Sequence, residues 1–266
     1  MKRSFTDQIG HTINIESPPQ RIVSLVPSQT ELLAYFGLDK EVVGITKFCI
    51  HPDTWFRSKT RVGGTKSVNF DRIEQINPDL IICNKEENKE SDVKALMEKY
   101  PVWTSDIKNL EDALNMISSI GEIVNKPNET QSLTSQIKKN FQEFGNNKYS
   151  PISVLYLIWK EPYMAAGKDT FIDSMLSWCN FINVCDDSIG RYPQLTMEQI
   201  TNLKPRIILL STEPYPFKEK HLVGFKTYYP ESLPVIVDGE YFSWYGSRLL
   251  NAPHYLKSLI ENYIKV

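Results

Sequence analysis

The sequence predicts an α/β fold of two lobes with mainly parallel sheets, joined by a helical connector, and three observations predict it. The first is a repeated unit: residues 70–82 align without a gap on residues 197–209, with Asp71 opposite Glu198 and Pro78 opposite Pro205, a constant offset of 127 residues. Each copy reads as helix, turn and buried strand, and each proline forces the chain from helix to extended strand. The second is the alternation of strand and helix patterns on both sides of the chain's middle, which argues for parallel sheets. The third is the stretch 110–144, which offers no strand candidate and carries apolar residues at helical spacing. At 266 residues the chain is long for one core and suits two. Two lobes offer a ligand cleft at their interface, where small-molecule sites concentrate.

Taken in order, residues 5–15 alternate around Gly10 and read as a small hairpin ended by Pro18-Pro19. A strand over 21–26 leads through Pro27 into a helix, for which Ser28 and Glu31 predict a capping box and Gly37 a left-handed stop. A strand over 42–46 precedes an irregular stretch, 47–66, of the length that often carries function. The first repeat copy follows, then a turn at 85–88, a helix over 91–100 and a short strand at 102–103. Within the connector, Pro127 suits an early position of a helix running to residue 144, about 18 residues or roughly 27 Å. The second lobe has a strand over 153–159, a loop over 160–169, a helix over 170–178, the second copy and a strand over 233–237. A closing helix, 247–264, is interrupted by Pro253. The domain expectation is therefore an N-terminal lobe at 1–109, a connector at 110–147 and a C-terminal lobe at 148–266.

Composition narrows the function. A net charge of −2 and no Lys/Arg stripe argue against nucleic acid, and the apolar runs are too short to span a bilayer. Met1-Lys2-Arg3 is followed by polar residues where a signal peptide needs an apolar stretch, so with Met1 as the native start the chain is expected in the cytoplasm. Four cysteines are too few for a disulfide scaffold. Gly10, Gly37, Gly63-Gly64 and Gly167 form no phosphate-binding fingerprint, and no GxSxG elbow exists. Glu86, Glu161 and Glu213 read as solvated carboxylates, so no catalytic residues are assigned.

Ligand sites in α/β proteins lie beyond the C-terminal ends of parallel strands. Those segments hold Phe48, Cys49, His51, Lys85 and Glu86 in the first lobe, and Trp159, Tyr163 and Trp244 in the second. Aromatic walls with a few charges suit a large, flat, partly polar ligand. Cys49 and His51, two apart and near Cys83, are candidates for a soft metal, although a small buried Cys is commoner than a ligand Cys.

The opening Phe5-Thr6-Asp7, Gly10, Thr12 and the run 19–25, followed by Pro27-Ser28 and Thr30-Glu31, resembles the start of the substrate-binding proteins of cobalamin and iron-siderophore ABC importers. Tyr163, Gly167-Lys168, Thr170-Phe171, Tyr192-Pro193-Gln194 and Gly246-x-Arg248 are similar too, with the cobalamin-binding branch nearest. The resemblance implies two α/β lobes bridged by one long backbone helix, a monomer, and a corrinoid or iron chelate as ligand with no intrinsic cofactor. It implies a periplasmic or cell-surface location and an ABC importer permease dimer as partner, docked through one acid per lobe, matching Asp71 and Glu198. By position, it adds Phe48, His51, Tyr192, Trp244 and Arg248 as ligand-facing. A ferric-siderophore or haem receptor, a cytosolic cofactor-handling protein of the same fold, and a metal-dependent hydrolase using Cys49, His51 and Glu86 are the alternatives.

Overall fold

A computed structural model describes residues 2–147 and 149–263. The chain divides into two compact units. The first contains the described residues up to Ile107, with Glu111–Ile137 and Tyr245–Arg248; the second contains Lys108–Leu110, the described residues from Lys138 to Trp244, and those from Leu249 onward.

The first unit opens with the antiparallel hairpin β1 (Lys2–Thr6) and β2 (Thr12–Glu16), in register from Lys2 opposite Glu16 to Thr6 opposite Thr12. Alternation buries Phe5, Ile13 and Ile15 on one side. Asp7 pins this hairpin: its carboxylate accepts from the Ile9 and His11 N–H groups at 3.1 and 2.7 Å and from Thr104 N–H at 3.2 Å. Then come β3 (Ile22–Ser24), α1 (Pro27–Tyr35), β4 (Val42–Ile45), α2 (Asp53–Ser58), β5 (Thr60–Arg61) and the two-residue strands β6 (Gly63–Gly64) and β7 (Ser67–Val68). The first repeat copy forms α3 (Phe70–Ile76) and β8 (Leu80–Asn84), followed by α4 (Glu90–Met97), β9 (Val102–Ser105) and α5 (Leu110–Ile123); the 19-residue α6 (Pro127–Gly145) gives its residues up to Ile137 to this unit and those from Lys138 to the second. The main sheet is parallel throughout, in the order β5-β4-β3-β8-β9. Such a sheet is covered on both faces. Accordingly every residue of β3, β8 and β9 is buried. Ile73 and Ile76 of α3 and Val93 and Leu96 of α4 cover one face, against Val23, Ile81, Cys83 and Val102.

The second unit contains β10 (Ile152–Trp159), β11 (Tyr163–Ala165), α7 (Phe171–Trp178), β12 (Phe181–Asn183), β13 (Gln194–Leu195), α8 (Met197–Asn202), β14 (Ile207–Ser211), α9 (Glu219–Tyr228), β15 (Leu233–Val237), α10 (Glu240–Ser243) and α11 (Ala252–Tyr263). Its sheet is mixed. β10, β14 and β15 are parallel neighbours and β12 runs parallel to the first half of β10, while β11 and β13 add an antiparallel edge. Ile200 of α8 and Phe225 of α9 cover Leu155, Leu157, Ile208 and Leu210.

The repeat is structural as well as sequential. The N-caps Asn69 and Thr196 each accept a backbone N–H from the third helical residue, Arg72 and Gln199. Both copies then turn through a left-handed residue, Asn77 and Lys204, at φ 49°. β8 and β14 begin and end at positions 127 apart.

Several expectations are corrected. No capping box forms at Ser28 and Glu31: α1 begins at Pro27, its N-cap is Val26, and Ser28 is buried inside the first turn. Stretch 47–66 is not irregular throughout but holds α2, β5 and β6, elements too short to show periodicity. The loop 160–169 contains β11, and α9 and β12 have no counterpart in the sequence reading. The closing stretch is divided as expected, into a 3-10 turn at Ser247–Leu250 and α11, but the break falls at Asn251; Pro253 occupies the second position of α11, where its missing N–H leaves no helical bond unmade. The predicted endpoint Ile264, the lobe start Lys148 and Met1 lie outside the described residues.

Candidate functional site

In the first unit, the loops after β3, β4, β8 and β9 rest on a layer of buried polar side chains. The Thr30 hydroxyl lies 2.8 Å from Ser24 Oγ and 3.1 Å from Cys49 Sγ, and the Thr46 hydroxyl meets the same sulfur at 3.2 Å. Cys49 is fully buried, and desolvation raises its thiol pKa. It is a core thiol held by two hydroxyls. His51 is partly buried, and among the described residues no group of three or more His, Cys, Asp or Glu side chains is placed to hold a metal ion.

The loop after β8 is fixed by two buried asparagines. Asn84 accepts from the Glu86 and Glu87 N–H groups at 2.8 and 2.9 Å, while Asn88 accepts from Asn84 N–H at 2.8 Å and donates to the Leu25 and Thr65 carbonyls at 3.2 and 3.1 Å. This arrangement sets Lys85 outward, where it pairs with Asp106 at 2.6 Å, and leaves Glu86 partly buried with its carbonyl accepting from Lys66. Phe48 is 50% exposed. Its ring lies under the Lys47 ammonium at 5.0 Å and against Gly64, where an added Cβ would meet the ring at 3.2 Å.

Arg248 belongs to the first unit, where it forms a bidentate pair with Glu31 at 2.6 and 3.1 Å. Neighbouring Gly246 approaches α1 so closely that a Cβ would sit 2.8 Å from the Ser28 carbonyl oxygen.

In the second unit Trp159, at the end of β10, is 41% exposed. Tyr215 meets its ring edge-on at 5.7 Å, and Phe217 and His221 pack behind Tyr215 at 4.8 and 5.7 Å. Tyr163 is partly buried against Phe225 at 5.3 Å. Tyr192 is 38% exposed beneath the Arg191 guanidinium, which is itself held by the Asp169 carbonyl. Trp244 departs from the expected ligand-facing role: it is 6% exposed, and its indole N–H donates to Glu213 at 3.1 Å. Ser243 donates to the same carboxylate. Burial, then the nearby Glu240 and Asp238 charges, raise the Glu213 pKa against these two hydrogen bonds.

Glu213 occupies the repeat position of Glu86. Its N–H is met by the Ser211 hydroxyl at 3.3 Å, as that of Glu86 is met by Asn84, so the repeat runs past the strands into the loops. Sequence reasoning missed Asn84, Asn88, Thr30 and His221; the first three are buried polar residues, and Asn88 and Thr30 meet partners well separated along the chain, Leu25 and Thr65 for the first and Cys49 for the second.

The periplasmic binding protein family profile matches residues 22–226. The chain belongs to that family. As a member it is a substrate-binding protein of ABC import and not an enzyme. A vitamin B12-binding protein of Vibrio cholerae is 24% identical over 197 residues, covering 73% of this chain and 71% of the relative. An uncharacterized ABC transporter substrate-binding lipoprotein of Bacillus subtilis, YvrC, is 28% identical over 216 residues, covering 77% and 68%. Among solved structures, the periplasmic vitamin B12 binding protein of Vibrio cholerae superposes with a TM-score of 0.80 at 20% identity, covering 94% of this chain and 99% of that one. A periplasmic heme binding protein of Pseudomonas aeruginosa reaches 0.79 at 17% identity, covering 93% and 94%. These two similarities establish the fold. Family members and their relatives work outside the cytoplasm, and among the described residues no helix is long and apolar enough to cross a membrane.

Proposed function

We propose that this chain captures a planar metal chelate, with a corrinoid as the first candidate, and delivers it to an ABC importer. The observation that carries the reading is the pair of exposed aromatic rings held at strand ends: Phe48, 50% exposed on Gly64, and Trp159, 41% exposed on Tyr215. Large exposed rings backed by packed neighbours supply flat apolar area at little entropic cost on binding. The strand-end loops are the proposed ligand contacts, with His51, Lys85 and Glu86 beside Phe48 in the first unit and Tyr163 and Tyr192 beside Trp159 in the second. Trp244 and Arg248 contribute by holding their loops. α6 serves as the backbone helix. The vitamin B12-binding relatives favour the corrinoid.

A haem or carboxylate-bearing iron chelate is the second reading. It is favoured by Lys160, Lys218 and Lys220, whose charges act on His221 behind the Trp159 wall, and by the haem-binding structural neighbours. Titration with cyanocobalamin, cobinamide, haemin and a ferric hydroxamate, followed by absorbance, separates the readings. Saturable binding of the two corrinoids alone supports the first; binding of haemin alone replaces it with the second.

Asp71 and Glu198 are proposed as the contacts to the permease dimer. Both are exposed at the second position of equivalent helices, α3 and α8.

A further inference from the structure

His221 lies in the first turn of α9, and its Nδ1 accepts from the Lys218 backbone N–H at 2.8 Å. A neutral imidazole that accepts at Nδ1 carries its proton on Nε2. That nitrogen faces the Tyr215 hydroxyl at 3.4 Å, so the ring donates to the phenol oxygen and leaves the phenol's own proton to point elsewhere. Tyr215 is fixed a second time through its backbone N–H, which donates at 3.3 Å to the carbonyl of Ile158, the residue before Trp159. Its ring stands edge-on to Trp159 at an interplanar angle of 67° and edge-on to Phe217, which is 2% exposed. A buried anchor, a partly buried relay and an exposed ring thus form one column.

We propose that His221 is a positioning residue for ligand recognition: as the Nε2–H tautomer it holds Tyr215, and Tyr215 sets the exposed face of Trp159 on which a flat ligand stacks. The inference rests on the reading of Trp159 as a ligand wall. The groups facing the imidazole are Lys218 and Lys220 at the start of α9, Lys160 from the turn after β10, which pairs with Glu161 at 3.0 Å, and Tyr215. Burial first, then these cations, lower the pKa of His221 against the Lys218 N–H bond, which favours the neutral ring relative to a free histidine. Protonation of Nδ1 would set a donor against the Lys218 N–H and break that bond.

The test compares His221→Ala, His221→Gln, which keeps an N–H donor toward Tyr215, and Trp159→Phe. The ligand-free readout is the Trp159 emission, obtained by subtracting the spectrum of Trp159→Phe. The binding readout is tryptophan quenching by cyanocobalamin and by haemin. His221→Ala should shift the Trp159 emission and weaken binding about five- to tenfold, as loosening a supporting contact does. His221→Gln should leave both within about twofold of wild type, and wild-type affinity should fall as acidification protonates His221 while that of His221→Gln stays level. Unchanged Trp159 emission in His221→Ala overturns the positioning role. Wild-type affinity in Trp159→Phe overturns the placement of the ligand on that ring, and the inference with it.

Discussion

Asp79 shows how much of this sequence's motif content is spent on holding the chain together. Its carboxylate accepts the Gln20 and Arg21 N–H groups at 2.7 and 2.8 Å, while the Arg21 guanidinium caps the Ile76 carbonyl at the end of α3. The Gly167-Lys168-x-Thr170 run is equally structural. Thr170 caps α7 by accepting from Asp173 N–H at 3.1 Å, and a Cβ at Gly167 would stand 2.4 Å from the Gly190 carbonyl oxygen. Gly167→Ala should therefore lower stability by about 1 to 3 kcal/mol, as overpacking does, and thermal denaturation will check it. Trp159→Ala should weaken ligand binding with little loss of stability, because the ring is 41% exposed; a large fall in melting temperature with unchanged affinity would refute this. Glu213 gives a pH test. Its folded pKa is raised by burial, so the native state holds the proton more tightly than the unfolded chain. Its contribution to stability is greatest below the unfolded glutamate pKa of about 4.3 and falls as pH rises from there through the raised value. Glu213→Gln should abolish that decline in melting temperatures measured from acid to neutral pH.

At the scale of elements, the repeat is carried by its ends. Thr196 forms a full capping box with Gln199, the two bonds measuring 3.2 and 2.8 Å. Thr196→Ala should cost about 1 kcal/mol of stability, the usual value of an N-cap, read from urea midpoints. In the sequence the box is legible only as a helix start, because the apolar and proline positions carry the pattern there. The box expected at Ser28 and Glu31 fails for a tertiary reason. Glu31 is drawn to Arg248, more than two hundred positions along the chain, and the helix then begins on Pro27, whose fixed φ suits a first helical position. The short elements α2, β5 and β11 escaped notice because two to six residues cannot display a period.

At the scale of the molecule, the duplication places an exposed acid in the first turn of α3 and of α8. If these acids read a two-fold permease, Asp71→Asn and Glu198→Gln should each reduce binding to the importer and leave ligand affinity unchanged. A change confined to melting temperature would reduce them to helix-dipole residues. Sequence alone determined the two-unit α/β plan, the parallel strands, the repeat and its turn prolines, because periodicity and backbone restriction act over neighbours and need no third dimension. Tertiary structure decided which candidates are surfaces and which are supports. Trp159 and Phe48 stay 41% and 50% exposed, with Tyr215 and Gly64 packed against them. Trp244, Cys49 and Arg248 are taken up by Glu213, by Thr30 and Thr46, and by Glu31. A buried polar group must find a partner, and that partner is set by the fold rather than by distance along the chain.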